Sequence, residues 1–228
     1  MTADREKRIG ILDLWRSAAI ILMIAYHVMY DLEAFRVLPG GFTARPLLLV
    51  LRYVCAGSFI LISGAAVRFS RDPLRRGFLV FCVGLAVTVV SALVKLPVMF
   101  GILQLLGVCM MLCGLIGRRL DGKRGVVFLC LCTALFVGTW VLTDAITVDI
   151  KWLFPLGLKY EHFYSSDYYP LLPWGFLFLI GTALGEKLEN AANSREYPRW
   201  TTFLGRCSLW IYVLHQPILY GLCKLIFD

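Results

Sequence analysis

Two residues in the run YHVMYD, at positions 26–31, could perform acid–base chemistry. His27 and Asp31 are four residues apart, so on a helix their side chains lie on one face and can meet. A carboxylate that orients an imidazole fixes its tautomer and stabilises the imidazolium, as a general base requires. Such a base would activate a hydroxyl or amine acceptor. Two alternatives stay open: a structural hydrogen bond across the helices, and pairing of Asp31 with Arg52.

The same segment carries an acidic–basic pair nearer its start. Asp13, Arg16, Met23, His27 and Tyr30 recur at helical spacing, so they share one face. We interpret this stripe as the lining of a passage from a cytoplasmic anion site at Asp13 and Arg16 to an external reaction site at His27. The alternative is that Asp13 and Arg16 form an interfacial ion pair.

His215 and Gln216 lie in a second polar interruption, within CSLWIYVLHQP. Pro217 leaves the carbonyl of Val213 without its helical hydrogen bond. A histidine beside such a kink either belongs to a binding site or is a structural residue whose hydrogen bonds are satisfied where the helix bends.

Arg52 and Gln104 interrupt two further apolar segments. A rise of about 1.5 Å per residue places both in the outer third of the bilayer, with the polar residues already named. We predict one external pocket, with three catalytic residues and a set of substrate-binding residues. The catalytic candidates are His27, Asp31 and His215, and the binding candidates are Arg16, Asp13, Arg52, Gln104, Gln216 and His162.

The composition is that of a membrane protein. Of the 228 residues, 59% are hydrophobic and 17% are charged, whereas soluble domains have about 45–50% apolar and about 25% charged residues. We predict an all-α polytopic membrane protein with one domain over residues 1–228. Ionisable residues at membrane depth indicate a functional site by default. The basic residues lie in short loops, so the net charge of +8 does not indicate nucleic acid.

Apolar runs of about 20 residues, the length that spans a bilayer, predict a single bundle of about seven transmembrane helices. The predicted spans are 10–31, 46–67, 76–95, 97–117, 125–143, 170–188 and 203–226. Pro46, Pro97 and Pro170 are predicted to stand at helix starts. Fifteen Lys and Arg residues fall on the side of the N-terminus and six on the other, which predicts a cytoplasmic N-terminus.

Glycines at seven-residue spacing, and a GxxxG at Gly181 and Gly185, predict close helix packing. The eight cysteines lie in apolar segments, where a free cysteine behaves as a small hydrophobe. Cys109 and Cys113 share a face, but no histidine or carboxylate of that segment completes a ligand set, so we predict no metal.

The longest external segment, residues 144–169, is rich in aromatic residues and contains His162. It is interpreted either as a lid over the external site or as an interfacial aromatic belt.

Five stretches in a fixed order resemble a known family. They are RIGILDLWRSAAIILMIAYHVMYDLEAF at 8–35, FILISGAAV at 59–67, FGILQLLGV at 100–108, YYPLLPWGFLFLIGTALG at 168–185 and LGRCSLWIYVLHQPIL at 204–219. On these stretches the chain resembles the small bacterial relatives of heparan-α-glucosaminide N-acetyltransferase.

The resemblance implies a membrane acyltransferase that takes the acetyl group of cytosolic acetyl-CoA, or another acyl-CoA, to an amino-sugar or glycan on the far side. It also implies a bacterial inner-membrane protein and a homodimer. His27 and Asp31 match the histidine and aspartate of the first helix in the small relatives, and Asp13 and Arg16 match an early acidic–arginine pair. Many small relatives carry histidine where this chain has Gln104. The lysosomal enzyme of this family has glutamine at that position, and the histidine on which it relies lies after its first helix rather than inside it.

Two hypotheses for function follow. The first is a membrane acyltransferase with acyl-CoA and a sugar amine or hydroxyl as substrates. The alternative is a proton-coupled transporter, although transporters usually show internal repeats and none is evident here. A non-catalytic scaffold is a third idea, and the convergence of polar residues argues against it.

Overall fold

A computed structural model describes residues 10–94, 96–116, 126–191, 203, 205 and 207–227. These residues are α-helical, with one 3-10 helix at Lys151–Leu156 and one β-bridge between Thr147 and Lys159. The α-helices of the described residues are α1 (Gly10–Ala34), α2 (Pro46–Val67), α3 (Pro73–Leu93), α4 (Ile102–Ile116), α5 (Val126–Ala145), α6 (Leu171–Ala191) and α7 (Ser208–Phe227).

Five of these helices, namely α1, α2, α3, α5 and α7, are long and apolar enough to cross a membrane. The apolar part of α6, Leu171–Gly185, and the whole of α4 are shorter. The chain is therefore an integral membrane protein. The count of seven spans and the cytoplasmic N-terminus stay predictions. Many of the basic residues on which the predicted orientation rests lie outside the described part of the chain.

The helix starts follow the prolines in two cases of three. Pro46 begins α2, and Pro170 directly precedes α6, but Pro97 does not begin α4. Residues 97–101 are not helical, and they bond to the segment between α5 and α6 instead. Tyr169 N donates to the carbonyl of Phe100 (3.0 Å), and Met99 N donates to a serine hydroxyl of the same segment.

The described residues form two compact units. The first unit is Ser63–Ala191, and the second comprises the described parts of Arg8–Ile62 and Ala192–Asp228. The last five residues of α2 thus belong to the first unit and the rest of that helix to the second. The prediction of a single domain stays a prediction.

Glycines bring α3 and α4 into close contact in the first unit. A Cβ on Gly77 would lie 2.7 Å from the carbonyl oxygen of Gly107, and a Cβ on Gly107 would lie 2.8 Å from that of Gly77. Gly114 is equally close to the backbone of Leu74. The seven-residue glycine spacing therefore marks the α3–α4 contact, as predicted.

The end of α2 packs on α6 in the same way. A Cβ on Gly64 would overlap the carbonyl oxygen of Phe178, and its next neighbour is Gly181. A Cβ on Gly185 would meet the backbone of Ala65. The predicted GxxxG thus contacts another helix through small residues.

The segment between α5 and α6 folds around its own aromatic side chains. The rings of Phe154 and Phe163 stack with centroids 5.7 Å apart, and Tyr168 packs on Phe163 at 4.8 Å. The Tyr168 hydroxyl donates to the carbonyl of Phe154 (2.6 Å). Burial raises the pKa of Tyr168 above its ordinary value, so the phenol remains a donor.

In the second unit, α1 and α7 pack together. Near the start of α1, Ser17 donates to the carbonyl of Asp13 (2.9 Å) and accepts from the backbone N–H of Gly205 (2.9 Å). A Cβ on Gly205 would overlap the Asp13 carbonyl oxygen. Gly205 is therefore needed for the approach of the chain before α7 to α1.

The glycine contact of α3 and α4 can be tested by substitution. Gly77→Leu places a side chain against backbone atoms that cannot move aside, so we expect a loss of about 1–3 kcal/mol or more in the free energy of unfolding. Gly138→Leu in α5 is the control, because nothing lies within 4 Å of a Cβ there. Thermal unfolding in detergent should show a clear fall for the first variant and little change for the second. Equal stability of the two variants would contradict the packing account.

Candidate functional site

His27 of α1, which is half-buried, and His215 of α7, which is buried, lie next to each other in the second unit. The ring centroids of His27 and His215 are 4.7 Å apart, and the planes are at 78°. His27 also meets Tyr26 edge to face at 5.6 Å, and Tyr212 lies 5.6 Å from His215. The sequence prediction that these histidines converge is consistent with this geometry.

Each histidine is held by a backbone carbonyl of its own helix. His27 Nδ1 lies 2.9 Å from the oxygen of Met23, and His215 Nδ1 lies 2.6 Å from that of Tyr212. A carbonyl oxygen only accepts, so both Nδ1 atoms carry the hydrogen. In the neutral rings the acceptor nitrogen is therefore Nε2, which is the atom able to take a proton from a substrate.

Asp31 does not orient His27, contrary to the prediction from their spacing. Asp31 is 1% exposed, and its Oδ1 accepts a hydrogen bond of 2.8 Å from Gln216 Nε2. Asp31 and His27 share a helix face, but the hydrogen-bond requirements of His27 Nδ1 are met by the Met23 carbonyl one turn earlier. The alternative pairing of Asp31 with Arg52 is not found among the described residues either.

Arg52 of α2 completes this polar group. Its guanidinium acts electrostatically on His27, and it lies 6.0 Å from the ring of Tyr53. Five predicted site residues, from three helices, thus belong to the second unit near one another. They are His27, Asp31, Arg52, His215 and Gln216.

Asp13 and Arg16 form the ion pair that the sequence left as an alternative. Arg16 Nη1 donates to Asp13 Oδ1 at 2.9 Å, and both side chains are largely buried. The pair lies at the start of α1, near the Ser17–Gly205 contact, while His27 lies near the other end of the helix. A chemical role for the pair stays a prediction.

Gln104 belongs to the first unit, where both ends of its amide are used. Oε1 accepts from the backbone N–H of Gly101 (2.6 Å), and Nε2 donates to Thr88 Oγ1 (2.9 Å). The first bond is half of a capping box, because Gly101 precedes α4 and Gln104 is its third residue. Its prediction as a substrate ligand stays untested, and the observed bonds give it a structural task.

His162 also belongs to the first unit and lies on its surface. Its side chain is 89% exposed, and Nε2 is 3.7 Å from Glu161 Oε1. Its backbone has a positive φ of 60°. The predictions that His162 binds substrate and that residues 144–169 form a lid stay open.

Sequence reasoning missed Glu33, which organises the turn after α1. Its carboxylate accepts from the N–H of Gly41 (2.6 Å) and from both the N–H and the hydroxyl of Thr43 (2.7 and 2.6 Å). The helix itself ends in a Schellman motif, with Arg36 at φ 60° and Val37 N donating to the carbonyl of Leu32. The nearby GGFT run at residues 40–43 was the available sequence signal, because it predicts a turn whose backbone N–H groups need a hydrogen-bond acceptor.

No group of three or more potential metal ligands occurs among the residues that the structure describes. The cysteines are free thiols, and Cys109, of the predicted Cys109/Cys113 face, is buried in α4. The histidines and Arg52 of the second unit are groups that can transfer protons and stabilise a developing charge.

Comparison with known proteins was informative at the level of family. The sequence model of a family described as heparan-alpha-glucosaminide N-acetyltransferase, catalytic, matches residues 8–217. The match includes both histidine-bearing helices up to Pro217. Searches of curated proteins and of solved structures gave no significant match.

The tautomers of His27 and His215 can be observed directly. At a pH where the imidazoles are neutral, we expect His27 and His215 to be protonated on Nδ1, because each donates from that atom to a carbonyl. Solid-state NMR of 15N-histidine-labelled protein in lipid, assigned by replacing each of the three histidines in turn, measures this. The exposed His162 is the internal reference. Protonation of both rings on Nε2 would contradict the geometry.

Proposed function

Because the chain belongs to the catalytic family of heparan-α-glucosaminide N-acetyltransferase, whose members are membrane acetyltransferases, we propose that it moves an acetyl group from acetyl-CoA to an amine or hydroxyl of an external sugar. The observation that carries this proposal is the pair of adjacent histidines, each with Nδ1 bound to the backbone. Such rings present Nε2 as a base.

In the proposed reaction His27 is the general base. Its Nε2 takes the proton of the acceptor amine or hydroxyl as the acceptor's nitrogen or oxygen attacks the thioester carbonyl. A new C–N or C–O bond forms, the C–S bond breaks, and the thiolate of CoA receives the proton from His27. The Met23 carbonyl fixes the ring through this cycle, which is the task that the sequence assigned to Asp31.

Arg52 is proposed to stabilise the oxygen that becomes negative in the tetrahedral intermediate. A fixed positive charge in a site without bulk water stabilises such an oxyanion strongly. Its electrostatic interaction with His27 supports this assignment, because base and oxyanion must flank the same carbonyl. His215, in ring contact with His27, is the second proton-accepting group.

Arg16 is proposed to attract the phosphates of the donor at the cytoplasmic end of α1. Its guanidinium is held by the ion pair with Asp13, and a positioned guanidinium is the group that recognises phosphate best. The proposal includes a location in the bacterial plasma membrane and a homodimer, as the family resemblance implies. Membership of an acetyltransferase family also favours this reading over the proton-coupled transporter.

Removal of the base should abolish transfer. His27→Ala in purified protein, supplied with radiolabelled acetyl-CoA and an amino-sugar, should lower the rate about a hundredfold to ten-thousandfold. His27→Gln should fail similarly, because its amide has no comparable basicity. Leu22→Ala, on the exposed side of the same helix, is the control. Full activity of His27→Ala would refute the assignment, and uptake into vesicles without a covalent product would instead support the transporter.

The donor-end assignment makes a separate prediction. Arg16→Gln should raise the KM for acetyl-CoA about tenfold to a hundredfold, since one charge-assisted bond to phosphate is worth about 1.5–3 kcal/mol. The value of kcat should change little, because Arg16 is not proposed to contact the reacting carbonyl. Steady-state kinetics with acetyl-CoA varied at a fixed acceptor concentration measures both. A change in kcat alone would argue against donor binding at Arg16.

A further inference from the structure

Two buried oxygens beside the histidines receive no hydrogen bond from any residue that the structure describes. They are Oδ2 of Asp31 and Oε1 of Gln216. Oδ2 belongs to the carboxyl group whose Oδ1 accepts the Gln216–Asp31 hydrogen bond, and Oε1 belongs to the amide whose Nε2 donates it. The two oxygens therefore belong to one contact. Unmet buried acceptors are rare in folded proteins, and each requires a physical explanation.

The other two carboxylates of α1 show how this protein treats an ionised acid. Asp13 is paired with the guanidinium of Arg16, and Glu33 accepts three hydrogen bonds from Gly41 and Thr43. Asp31 is the most deeply buried of the three, with 1% exposure. It has one neutral donor and no ion pair among the described residues. A charged carboxylate in such surroundings is costly.

One proton on Asp31 resolves both unmet oxygens. A carboxylic acid donates from Oδ2 while Oδ1 still accepts, and a primary amide offers the complementary pair of an N–H and a carbonyl. Gln216 Nε2 already donates to Oδ1. A hydrogen on Oδ2 would donate to Gln216 Oε1 and close a ring of two hydrogen bonds.

We propose that Asp31 is held as a neutral carboxylic acid in a two-bond pair with the Gln216 amide. In this pair Asp31 is a positioning residue: it ties α1 to α7 and sets the histidines side by side, without adding a negative charge to the site. Among the titratable groups of the second unit, Cys223 on α7 interacts electrostatically with Asp31. His27, His215 and Arg52 lie on the same three helices and interact with one another. The inference concerns the protonation state and does not depend on the proposed reaction.

Infrared spectroscopy of the full-length protein in lipid at neutral pH tests the proposal. A protonated carboxyl group has a C=O band distinct from the bands of a carboxylate, and the band shifts in D2O. We expect wild-type protein to show such a band and Asp31→Asn to lack it. Gln216→Leu should move the band to higher frequency, because the acid loses both partners. Glu33→Gln is the matched control, since an ionised carboxylate contributes nothing to the acid band.

Stability gives a second, independent reading. Asp31→Asn keeps an acceptor and supplies an N–H in place of the O–H, so its unfolding temperature should stay close to that of the wild type. Asp31→Leu has similar bulk but no polar partner for Gln216, so its unfolding temperature should fall by several degrees.

The absence of an acid band that is lost in Asp31→Asn would overturn the proposal, because it would mean that Asp31 is ionised, with a water or another donor at Oδ2. An equal fall in stability for Asn and Leu would likewise exclude the two-bond pair. Loss of acetyl transfer in any variant leaves this test unchanged.

Discussion

The hydrogen bond between Gln216 and Asp31 is the contact on which the histidine pair depends. It joins α1 to α7 one turn beyond His27 and one residue beyond His215. In an apolar environment a polar side chain without a partner is costly, so two helices that each carry one will come together where those side chains can meet. At the other end, Ser17 and Gly205 join the same two segments through a backbone N–H. Two polar contacts thus set the register between the helices.

Pro217 is consistent with this arrangement. It has no N–H, so the carbonyl of Val213 loses its usual helical partner, and the helix geometry just before it is released from one constraint. Within that turn the His215 ring bonds to the Tyr212 carbonyl, and Gln216 reaches across to α1. The proline follows directly after His215 and Gln216, two residues of α7 that contact the first helix.

For the second unit, the sequence indicated which polar residues lie near one another better than it indicated how they bond. The polar residues of α1, α2 and α7 could be found because ionisable groups stand out in apolar segments, and the glycine contacts could be found because small residues recur at helical spacing. The prediction of a bond between His27 and Asp31 was wrong, because a spacing of four residues permits a contact but does not ensure that it forms. The backbone carbonyl of Met23 lies on the same helix and competes for the same nitrogen.

The capping role of Gln104 was missed for a different reason. Its capping role is readable only if α4 begins after Gly101, and the prediction began that helix at Pro97. The start was misjudged because residues 97–100 bond to residues 165–169, more than sixty positions away. A long-range backbone pairing of this kind leaves no local pattern in the sequence. Glu33 was missed for a related reason, because its partners lie in a turn whose course the sequence did not reveal.

The identical tautomers of the two histidines limit what the site can do with protons. Both rings donate from Nδ1 to a carbonyl, so both present an acceptor nitrogen, and neither can donate to the other unless one has been protonated. Two imidazolium ions with ring centroids 4.7 Å apart would repel each other, and Arg52 adds a third positive charge that acts on His27. The pair is therefore suited to hold one proton at a time. Acetyl transfer requires the same number, since each turnover takes one proton from the acceptor and returns one to the departing thiolate. A neutral Asp31 keeps this balance, because no carboxylate then competes with the histidines for that proton.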